Sequence, residues 1–214
     1  MSTPIWAGMH ATTIPTNPQE YIFFLSKDEV PYGCFSNAYR EGHTTTTMTT
    51  TTTTSGKQTL FWCINQELHY QKAILFNDND TAQQILDEKD DANKIKQLGR
   101  LVQGYDDSKW CEVRYEICCN AIYSKFSQNE KLKDLLLSTG SKIIVEAVKD
   151  KTWGIGCVEY ATTSSEDGSV VVVRGAKHKD SGEFDVKPED WVGSNLLGRC
   201  LMDVRKQLSD ESNG

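Results

Sequence analysis

The feature that most constrains this chain is an apolar run that ends at a glycine-rich loop. Residues 143–148 are rich in β-branched side chains, which predicts a buried central strand. Asp150, Trp153, Gly154 and Gly156 follow directly. Glycine lets the backbone approach a ligand, whereas the tryptophan offers a stacking face and the aspartate a base. This pattern indicates a small-molecule site; the alternative is a turn that Asp150 caps, with Trp153 in the core.

The composition is that of a globular domain with a core of its own. The chain has 214 residues, of which 38% are hydrophobic and 25% charged, and no apolar run approaches the length of a membrane span. The net charge of −7 argues against a protein that binds nucleic acid through a basic face, but it allows action on one modified nucleotide at a time. We expect no secretory leader, no membrane association, and a monomer in the cytoplasm, with the nucleus as the alternative location.

The cysteine and histidine patterns predict neither a disulfide framework nor a metal site. Seven cysteines are an odd number without CxxC spacing, which favours the reduced thiols of an intracellular protein. The four histidines lack the spacing of zinc ligands. We therefore expect no metal and no cofactor.

A lysine lies on the apolar stripe of the first predicted helix. The stripe contains Ile64, Leu68 and Leu75, and Lys72 follows Leu68 by four residues. Burial of an ammonium group lowers its pKa and makes the amine a nucleophile; the alternative is that the side chain extends to solvent. Asn65 lies seven residues before Lys72, about 20° away around the helix, so both side chains can face one cavity.

The remaining segments surround one predicted domain, residues 19–209. Residues 1–18 are polar and contain several prolines, and we expect a loosely attached segment. The threonine-rich residues 44–56 are interpreted as a disordered insertion, because such a tract cannot bury a core. Residues 160–190 are interpreted as a second insertion, and residues 210–214 as a tail.

Local signals predict where several elements begin. Short strands are predicted at residues 21–25 and 59–63, where aromatic and β-branched side chains cluster. Three helices are predicted to follow hydroxyl caps at Thr81, Ser108 and Ser194. The small residues around Ser194 also make that helix start a candidate anion site, with a plain capped helix as the alternative.

Taken together, these segments resemble the NADAR family (NAD- and ADP-ribose-associated, also called YbiA-like). The matching pieces occur in the family's order over about residues 21–208, and it is the ordered set that is specific. They are Phe35-Ser36-Asn37, Tyr70 to Phe76, Leu98-Gly99-Arg100, Val102, Trp110, Lys125 to Asn129, Thr139-Gly140, Val145-Glu146-Ala147, Asp150, Trp153 to Gly156, Gly193 to Gly198, Leu201-Met202 and Arg205.

The resemblance implies a compact α+β domain, mostly helical with a small β-sheet, whose cavity holds an N-glycosidic bond. Family members hydrolyse such bonds: some cleave ribosylated intermediates of the riboflavin pathway, and others remove ADP-ribose from guanine bases. The Lys-Ala-Ile-Leu-Phe stretch and the Trp-Gly-Ile-Gly loop favour the second kind. The expected partner is thus an ADP-ribose moiety on guanine in DNA or RNA, or on a free nucleotide. The alternatives are a riboflavin-pathway glycosidase and a non-catalytic reader of ADP-ribose or NAD.

The resemblance also implies roles for individual residues. The family's lysine falls on Lys72, which would attack ribose C1 and form a Schiff base. Asp150 would be the acid or base, and Glu146 either a second carboxylate or a structural anchor. Trp153 would stack on a base or sugar, and backbone N–H groups of the glycine loop would help to hold phosphates. The residues expected to bind substrate are Phe35, Ser36, Asn37, Arg100, Trp110, Trp153, Gly154, Gly156, Ser194 and Asn195.

One catalytic position departs from the family. A functional glutamate often stands seven residues before the lysine, where this chain has Asn65. Glu67 is close in sequence but lies about 200° around the helix, so it is not expected to replace that glutamate. Either Asp150 carries the acid–base work alone, or the chain is weakened in catalysis or only binds its ligand.

Overall fold

The computed structural model describes residues 21–47, 57–156, 191–212 and Gly214. These residues form the compact, mostly helical α+β domain that the sequence predicts, with two small sheets instead of one. In chain order the elements are strand β1 (Tyr21–Phe24), a 3-10 helix (Tyr32–Phe35), strands β2 (His43–Thr47) and β3 (Lys57–Phe61), helices α1 (Ile64–Leu75), α2 (Asn79–Asp87), α3 (Ala92–Arg100), α4 (Asp107–Ser127) and α5 (Glu130–Ser138), strand β4 (Ile143–Glu146) and helix α6 (Leu196–Ser212).

Strands β1 and β4 form a two-stranded parallel sheet. Tyr21 lies opposite Ile143, and Phe24 lies opposite Glu146. The strand predicted at residues 143–148 is therefore shorter than expected and has one neighbouring strand, so it is not central in a larger sheet. It stops at Glu146 because the backbone turns there, with the Val148 N–H donating to the Glu146 carbonyl at 3.0 Å.

The first part of the threonine tract is a strand. Thr44 to Thr47 belong to β2, which pairs antiparallel with β3, and Thr44 lies opposite Leu60. The Gln128 side chain also accepts from the Thr44 N–H at 2.9 Å and donates to its carbonyl at 2.7 Å. The prediction of disorder is therefore wrong for these four residues, because β-branched threonine suits a paired strand. The rest of the tract, and the segments predicted at 1–18 and 160–190, lie outside the described residues.

Aspartates begin two helices for which the sequence predicted hydroxyl caps. Helix α2 follows Asp78, whose carboxylate accepts from the Thr81 N–H, and α4 follows Asp106, whose carboxylate accepts from the Lys109 N–H. The predictions of Thr81 and Ser108 as caps are wrong. An aspartate earlier in each segment supplies both the acceptor and a negative charge at the positive end of the helix.

Helix α1 lies between two hydrophobic cores. The larger core joins α1 to β1, β4, the 3-10 helix, α4, α5 and α6, and Phe35 and Phe126 are fully buried in it. The smaller core fills the space between α1, α2 and α3 around Ile85 and Ile95. Leu75, predicted to face inward, is 38% exposed. Because apolar side chains on two sides fix α1, its polar side chains are held at defined positions between the cores.

Two features are absent from the part of the chain that the structure describes. No helix there is both long and apolar enough to span a bilayer. The same residues contain no group of three or more histidine, cysteine or acidic side chains placed to hold a metal ion.

Candidate active site

A large cavity opens between α1, α3, the segment after the 3-10 helix and the loop after β4. Its volume is about 1070 Å³, at the upper end of the range for small-molecule sites. The structure brings together on its wall a set of residues that the sequence singles out: Ser36, Asn37, Asn65, Lys72, Arg100, Glu146, Asp150 and Trp153.

Lys72 reaches the wall from the last turn of α1. Its Nζ donates to the Gly99 carbonyl at 2.8 Å and lies 4.0 Å from the centroid of the Tyr105 ring. The residue is half-buried, and this desolvation lowers the pKa of its amine, although the charge of Asp107 opposes the change. The side chain therefore faces a cavity and does not simply extend to solvent.

Glu146 lies at the end of β4 with its carboxyl in the cavity wall. Burial, and then the negative charge of Asp150, raise the pKa of Glu146 to about 7. Its Oε2 is buried and has no hydrogen-bond partner among the described residues. A carboxyl that titrates near pH 7 can act as an acid and as a base. Of the two roles that the sequence leaves open, this geometry favours the second carboxylate over the structural anchor.

Asp150 caps the loop that follows β4. Its Oδ1 accepts from the N–H groups of Thr152 and Trp153, both at 2.7 Å. This is the turn-capping alternative that the sequence allows. The carboxylate is exposed and also lines the cavity, and its charge contributes to the raised pKa of Glu146. Asp150 thus influences the acid–base chemistry through its neighbour.

Backbone N–H groups predicted to bind an anion, at the glycine loop and at the start of α6, already donate to carbonyls of the protein. The Gly156 N–H donates to a carbonyl just after β4 at 3.1 Å, and the N–H groups of residues 194–197 donate to the carbonyls of residues 151–154. Gly154 is needed for packing, since a β-carbon there would lie 2.5 Å from a valine methyl group. Neither glycine nor Ser194 lines the cavity, so the structure does not bring these predicted phosphate contacts to its wall.

Asn195 holds strand β4 instead of contacting the cavity. Its Nδ2 donates to the Ile144 carbonyl at 2.9 Å, and its Oδ1 accepts from the Glu146 N–H at 3.0 Å. The residue is 5% exposed and has a φ of +47°, a left-handed conformation that asparagine tolerates. The structure thus does not place Asn195 on the cavity wall, where the predicted substrate contact would lie. Asn195 is a positioning residue for the backbone that carries Glu146.

Two aromatic residues predicted to bind substrate are buried away from the cavity. Phe35 is 0% exposed, with its ring centroid 5.9 Å from that of Phe24 and 6.0 Å from that of Phe126. Trp110 is 8% exposed within α4. Neither lines the cavity, so the structure does not bring these two predicted binding residues to the site. A motif match locates such residues in the chain but does not indicate whether they face a core or a ligand.

His69 lines the cavity although the sequence analysis did not select it. Burial, followed by the charges of Lys72, Lys96 and Arg100, lowers the pKa of His69 to about 4, so the ring is neutral at neutral pH. Its Nδ1 is buried without a partner among the described residues. His69 precedes the lysine by three residues, one helical turn, and this spacing was the available signal.

Three cations of two helices share the cavity wall. Lys72 comes from α1, and Lys96 and Arg100 lie one turn apart on α3. Carboxylates of the loops, Asp90 and Asp150 among them, also line the cavity. The helices thus place a positive region in a chain of net charge −7, and this region suits an anionic ligand.

A second buried lysine supports the cavity from behind. Lys125 is 0% exposed, its Nζ donates to the Cys34 carbonyl at 2.7 Å, and burial lowers its pKa to about 8. The same Nζ lies 4.9 Å from the ring of Tyr39, which lines the cavity. Lys125 falls on the buried stripe of α4 with Ala121 and Ile122, a signal equivalent to the one that identified Lys72.

The position of Glu67 agrees with the helical geometry. Its Oε2 lies 2.6 Å from His43 Nε2 and accepts from the Thr45 hydroxyl at 3.1 Å, on the side of β2. It does not line the cavity, whereas Asn65 does. The glutamate missing at position 65 is therefore not replaced from the same helix.

The family is established by comparison with known proteins. The NADAR domain model matches residues 23–209, and the chain belongs to the NADAR domain family. An N-glycosidase of Acanthamoeba polyphaga mimivirus is 33% identical over 143 residues, which are 66% of this chain and 71% of that protein. Protein irg-1 of Caenorhabditis elegans is 32% identical over 180 residues, 81% of this chain and 74% of that protein.

Two further similarities are more distant. A riboflavin biosynthesis protein of Vibrio vulnificus is 28% identical over 151 residues, which are 70% of this chain but 32% of that protein. The NMR structure of the E. coli protein YbiA matches with a TM-score of 0.59 at 22% identity, over 91% of this chain and 88% of the YbiA chain. This second similarity supports the fold alone.

Proposed function

We propose that this protein is an N-glycosidase that removes ADP-ribose from guanine bases of nucleic acid. The observation that carries the proposal is that Lys72 and Glu146 line the same cavity, each with its pKa moved toward neutrality by burial. A neutral amine can attack ribose C1, and a protonated carboxyl can donate to a sugar oxygen. The positive region of α1 and α3 would receive the diphosphate.

The first half of the reaction releases the base. Glu146 donates its proton to the ring oxygen of the ribose, the bond between C1 and that oxygen breaks, and the lone pair of the base nitrogen forms a C1=N bond. The neutral Lys72 amine then attacks C1. A proton passes from Nζ to the base nitrogen, the bond between C1 and the base breaks, and a protonated Schiff base remains on Lys72.

The second half returns the enzyme to its starting state. Water adds to C1, and the carboxylate of Glu146 accepts a proton from it. The C1–Nζ bond of the resulting carbinolamine breaks as the hydroxyl proton moves to nitrogen, which releases Lys72 as the neutral amine. The ADP-ribose leaves as an aldehyde that closes to its ring form, and one water is consumed overall.

Because Asn65 replaces a glutamate, either another carboxylate carries out the acid–base chemistry or the protein is weakened in catalysis or only binds its ligand. Glu146 supports the first of these hypotheses. Asp150 holds the loop backbone through one carboxylate oxygen, so it is a weaker candidate for proton transfer. Glu146 offers a buried, partner-free oxygen in the same cavity. A carboxylate on β4 can compensate for the missing glutamate of α1, and this favours the enzyme over the non-catalytic reader.

A second candidate is a glycosidase of riboflavin-pathway intermediates. It is favoured by the similarity to the Vibrio vulnificus protein, whose name states a role in riboflavin biosynthesis. The bond cleaved would again join a nitrogen to ribose C1, and the same lysine and carboxylate would act. The two candidates differ in the size of the substrate, since only the first has a diphosphate and a second nucleoside. For the first, the partner is nucleic acid or a free nucleotide in the cytoplasm or nucleus.

A single-turnover experiment tests the proposal. Excess protein is incubated with an oligonucleotide that carries ADP-ribosylated guanine, and mass spectrometry follows the products. We expect the unmodified oligonucleotide, free ADP-ribose and, after borohydride treatment, an adduct on Lys72. Lys72→Ala should abolish both release and adduct, whereas Lys96→Met, which changes another lysine of the wall, should keep the adduct. Release at the wild-type rate by Lys72→Ala would refute the Schiff base, and bound but intact substrate would support the reader.

A further inference from the structure

Trp62 is a rigid aromatic surface on the cavity wall that the reaction above does not use. Its indole N–H donates to the Glu88 carbonyl at 2.8 Å, and its backbone N–H donates to Gln66 Oε1 at 3.0 Å. Gln66 is fully buried and also donates to the carbonyls of Ile85 and Glu88, both at 2.9 Å. These bonds fix the orientation of the indole before any ligand arrives.

The ring is only partly covered by protein. Trp62 is partly buried against the smaller core, and it lines the cavity together with Arg40. The Arg40 guanidinium lies 5.1 Å from the indole centroid and is held by Asp90 at 3.0 Å, with side-chain exposures of 60% and 82%. Such an exposed ion pair is weak, so Arg40 can move outward and cover a ring that enters above Trp62.

The position of Trp62 along α1 separates it from the reacting carbon. Asn65 and Lys72 are seven residues apart, about 10 Å along the helix axis, and Trp62 precedes the helix. A base bonded to the carbon that Lys72 attacks lies two bonds from the lysine nitrogen once that nitrogen has added to the carbon. The indole at the other end of α1 is therefore better placed for a different ring of the same substrate.

We propose that Trp62 and Arg40 form a subsite for the second base of the substrate, the adenine of an ADP-ribose group. The inference rests on the proposed function and refines it, because a substrate with a single base would leave this subsite empty. Stacking between an indole and a guanidinium is sequence-tolerant and suits any purine, and it requires no hydrogen bond to the base edge. The subsite thus selects for the nucleoside diphosphate part of the substrate.

Binding measurements with a matched pair of variants test the subsite. Trp62→Phe and Trp62→Leu both lose the bond to Glu88, but only phenylalanine keeps an aromatic face. In calorimetry, the leucine variant should bind ADP-ribose at least about tenfold more weakly than the phenylalanine variant does. Arg40→Ala changes an exposed residue and should weaken the binding of ADP-ribose about fivefold. Ribose 5-phosphate, which has no base, should bind all of these proteins equally.

The outcomes separate this subsite from the proposed function. Equal binding of ADP-ribose by the two Trp62 variants, with equal melting temperatures, would overturn the subsite and leave the reaction intact. Failure of the wild-type protein to bind ADP-ribose would overturn both. If the leucine variant does not fold, the ring-proton NMR signals of Trp62 in the wild type decide. They should shift with ADP-ribose and not with ribose 5-phosphate, and an absence of shift would reject the subsite.

Discussion

At the scale of single residues, burial shifts the pKa values of an acid and a base, Glu146 and Lys72, in opposite directions. Removal of water favours the neutral form of every titratable side chain, which is the protonated form of a carboxyl and the deprotonated form of an amine. Glu146 and Lys72 share one cavity wall, so burial shifts each of them toward the form that the proposed reaction requires. Desolvation disfavours the charged form of both side chains, and the neutral forms are the ones that the proposed reaction uses, Glu146 as the acid and Lys72 as the nucleophile.

The pH dependence of the reaction should identify Glu146. Because its pKa is raised to about 7, the proton that it donates is lost as the pH rises through that value. Deprotonation of Lys72 raises the rate over the same pH range, so we expect the wild-type rate to rise less steeply above pH 7 than below it. Glu146→Gln should lower the rate at pH 6 by about a hundredfold or more, and its remaining rate should rise through pH 7 without this change of slope.

A stability measurement on the same variant gives an independent check. A raised pKa in the folded state means that Glu146 stabilises the fold fully below its ordinary pKa of 4.5, and that this contribution is lost as the pH rises through 7. The melting temperature of the wild type should therefore fall relative to that of Glu146→Gln between pH 4.5 and 8. A constant difference would mean that the carboxyl titrates normally.

The ring of Tyr105 should oppose the lowering of the Lys72 pKa that burial causes. The ammonium lies 4.0 Å from the ring centroid, and the electron-rich face favours the protonated amine. Tyr105→Leu and Tyr105→Phe both lose the hydroxyl bond to Asp107, but only leucine loses the aromatic face. We expect the Lys72 pKa to be lower in the leucine variant than in the phenylalanine variant.

Chemical labelling measures this difference without any substrate. The rate at which trace acetic anhydride modifies Lys72, followed by peptide mass spectrometry over a pH series, reports the fraction of neutral amine. Identical titration curves for the two Tyr105 variants would show that the aromatic contact has no influence on the amine.

At the scale of elements, the site depends on the junction between β4 and α6. Carbonyls of residues 151–154 cap the first turn of α6, while Asn195 bonds back to β4. Gly198 faces the strand so closely that a β-carbon would overlap the Ile144 carbonyl. The start of α6, interpreted from sequence as a candidate anion site, is instead the structural support of the strand that carries Glu146.

Substitution of Asn195 should loosen this junction. Asn195→Gly removes two buried hydrogen bonds while keeping the left-handed backbone accessible, and we expect a loss of about 2 kcal/mol in the free energy of unfolding. Asn195→Ala should lose about 1 kcal/mol more, because alanine is strained at a φ of +47°. Urea denaturation measures both values. A glycine variant as stable as the wild type would show that the side-chain bonds contribute nothing.

At the scale of the whole molecule, Lys125 links the main core to the cavity. It is fully buried on α4 and donates to the Cys34 carbonyl, next to the segment that carries Ser36 and Asn37. No carboxylate of the described residues forms an ion pair with it, so its charge is stabilised by a carbonyl and by aromatic rings. Such a lysine should make the stability of the entire domain depend on pH.

The direction of that dependence follows from the lowered pKa of Lys125. Its ordinary pKa of 10.5 falls to about 8 on folding, so the charged form destabilises the fold, and this cost disappears as the pH rises from 8 toward 10.5. Between pH 7 and pH 10, the wild type should gain about 2 kcal/mol relative to Lys125→Met. Urea denaturation at the two pH values measures the gain, and parallel behaviour of the two proteins would contradict it.

Periodicity was sufficient to predict what depends on a single helix. The stripe of α1 placed Lys72 and Asn65 on one face, and both line the cavity. Periodicity was insufficient where the contacts of a side chain depend on residues that are distant in sequence. The role of Asn195 depends on β4, and that of Glu146 on its burial beside Asp150. Phe35 shows the same limit, because a motif match does not reveal that its ring packs against Phe126.

The parallel pairing of β1 with β4 has a consequence for the protein as it is synthesised. Strand β1 leaves the ribosome long before β4, which completes its sheet. Asn195, whose side chain bonds to β4, emerges later still. Contacts between such distant segments form slowly. The nascent chain therefore contains the helix with Lys72 well before the carboxyl of Glu146 is in place. The lysine is made first, and the carboxyl that the proposed reaction pairs with it is added only when the domain is nearly complete.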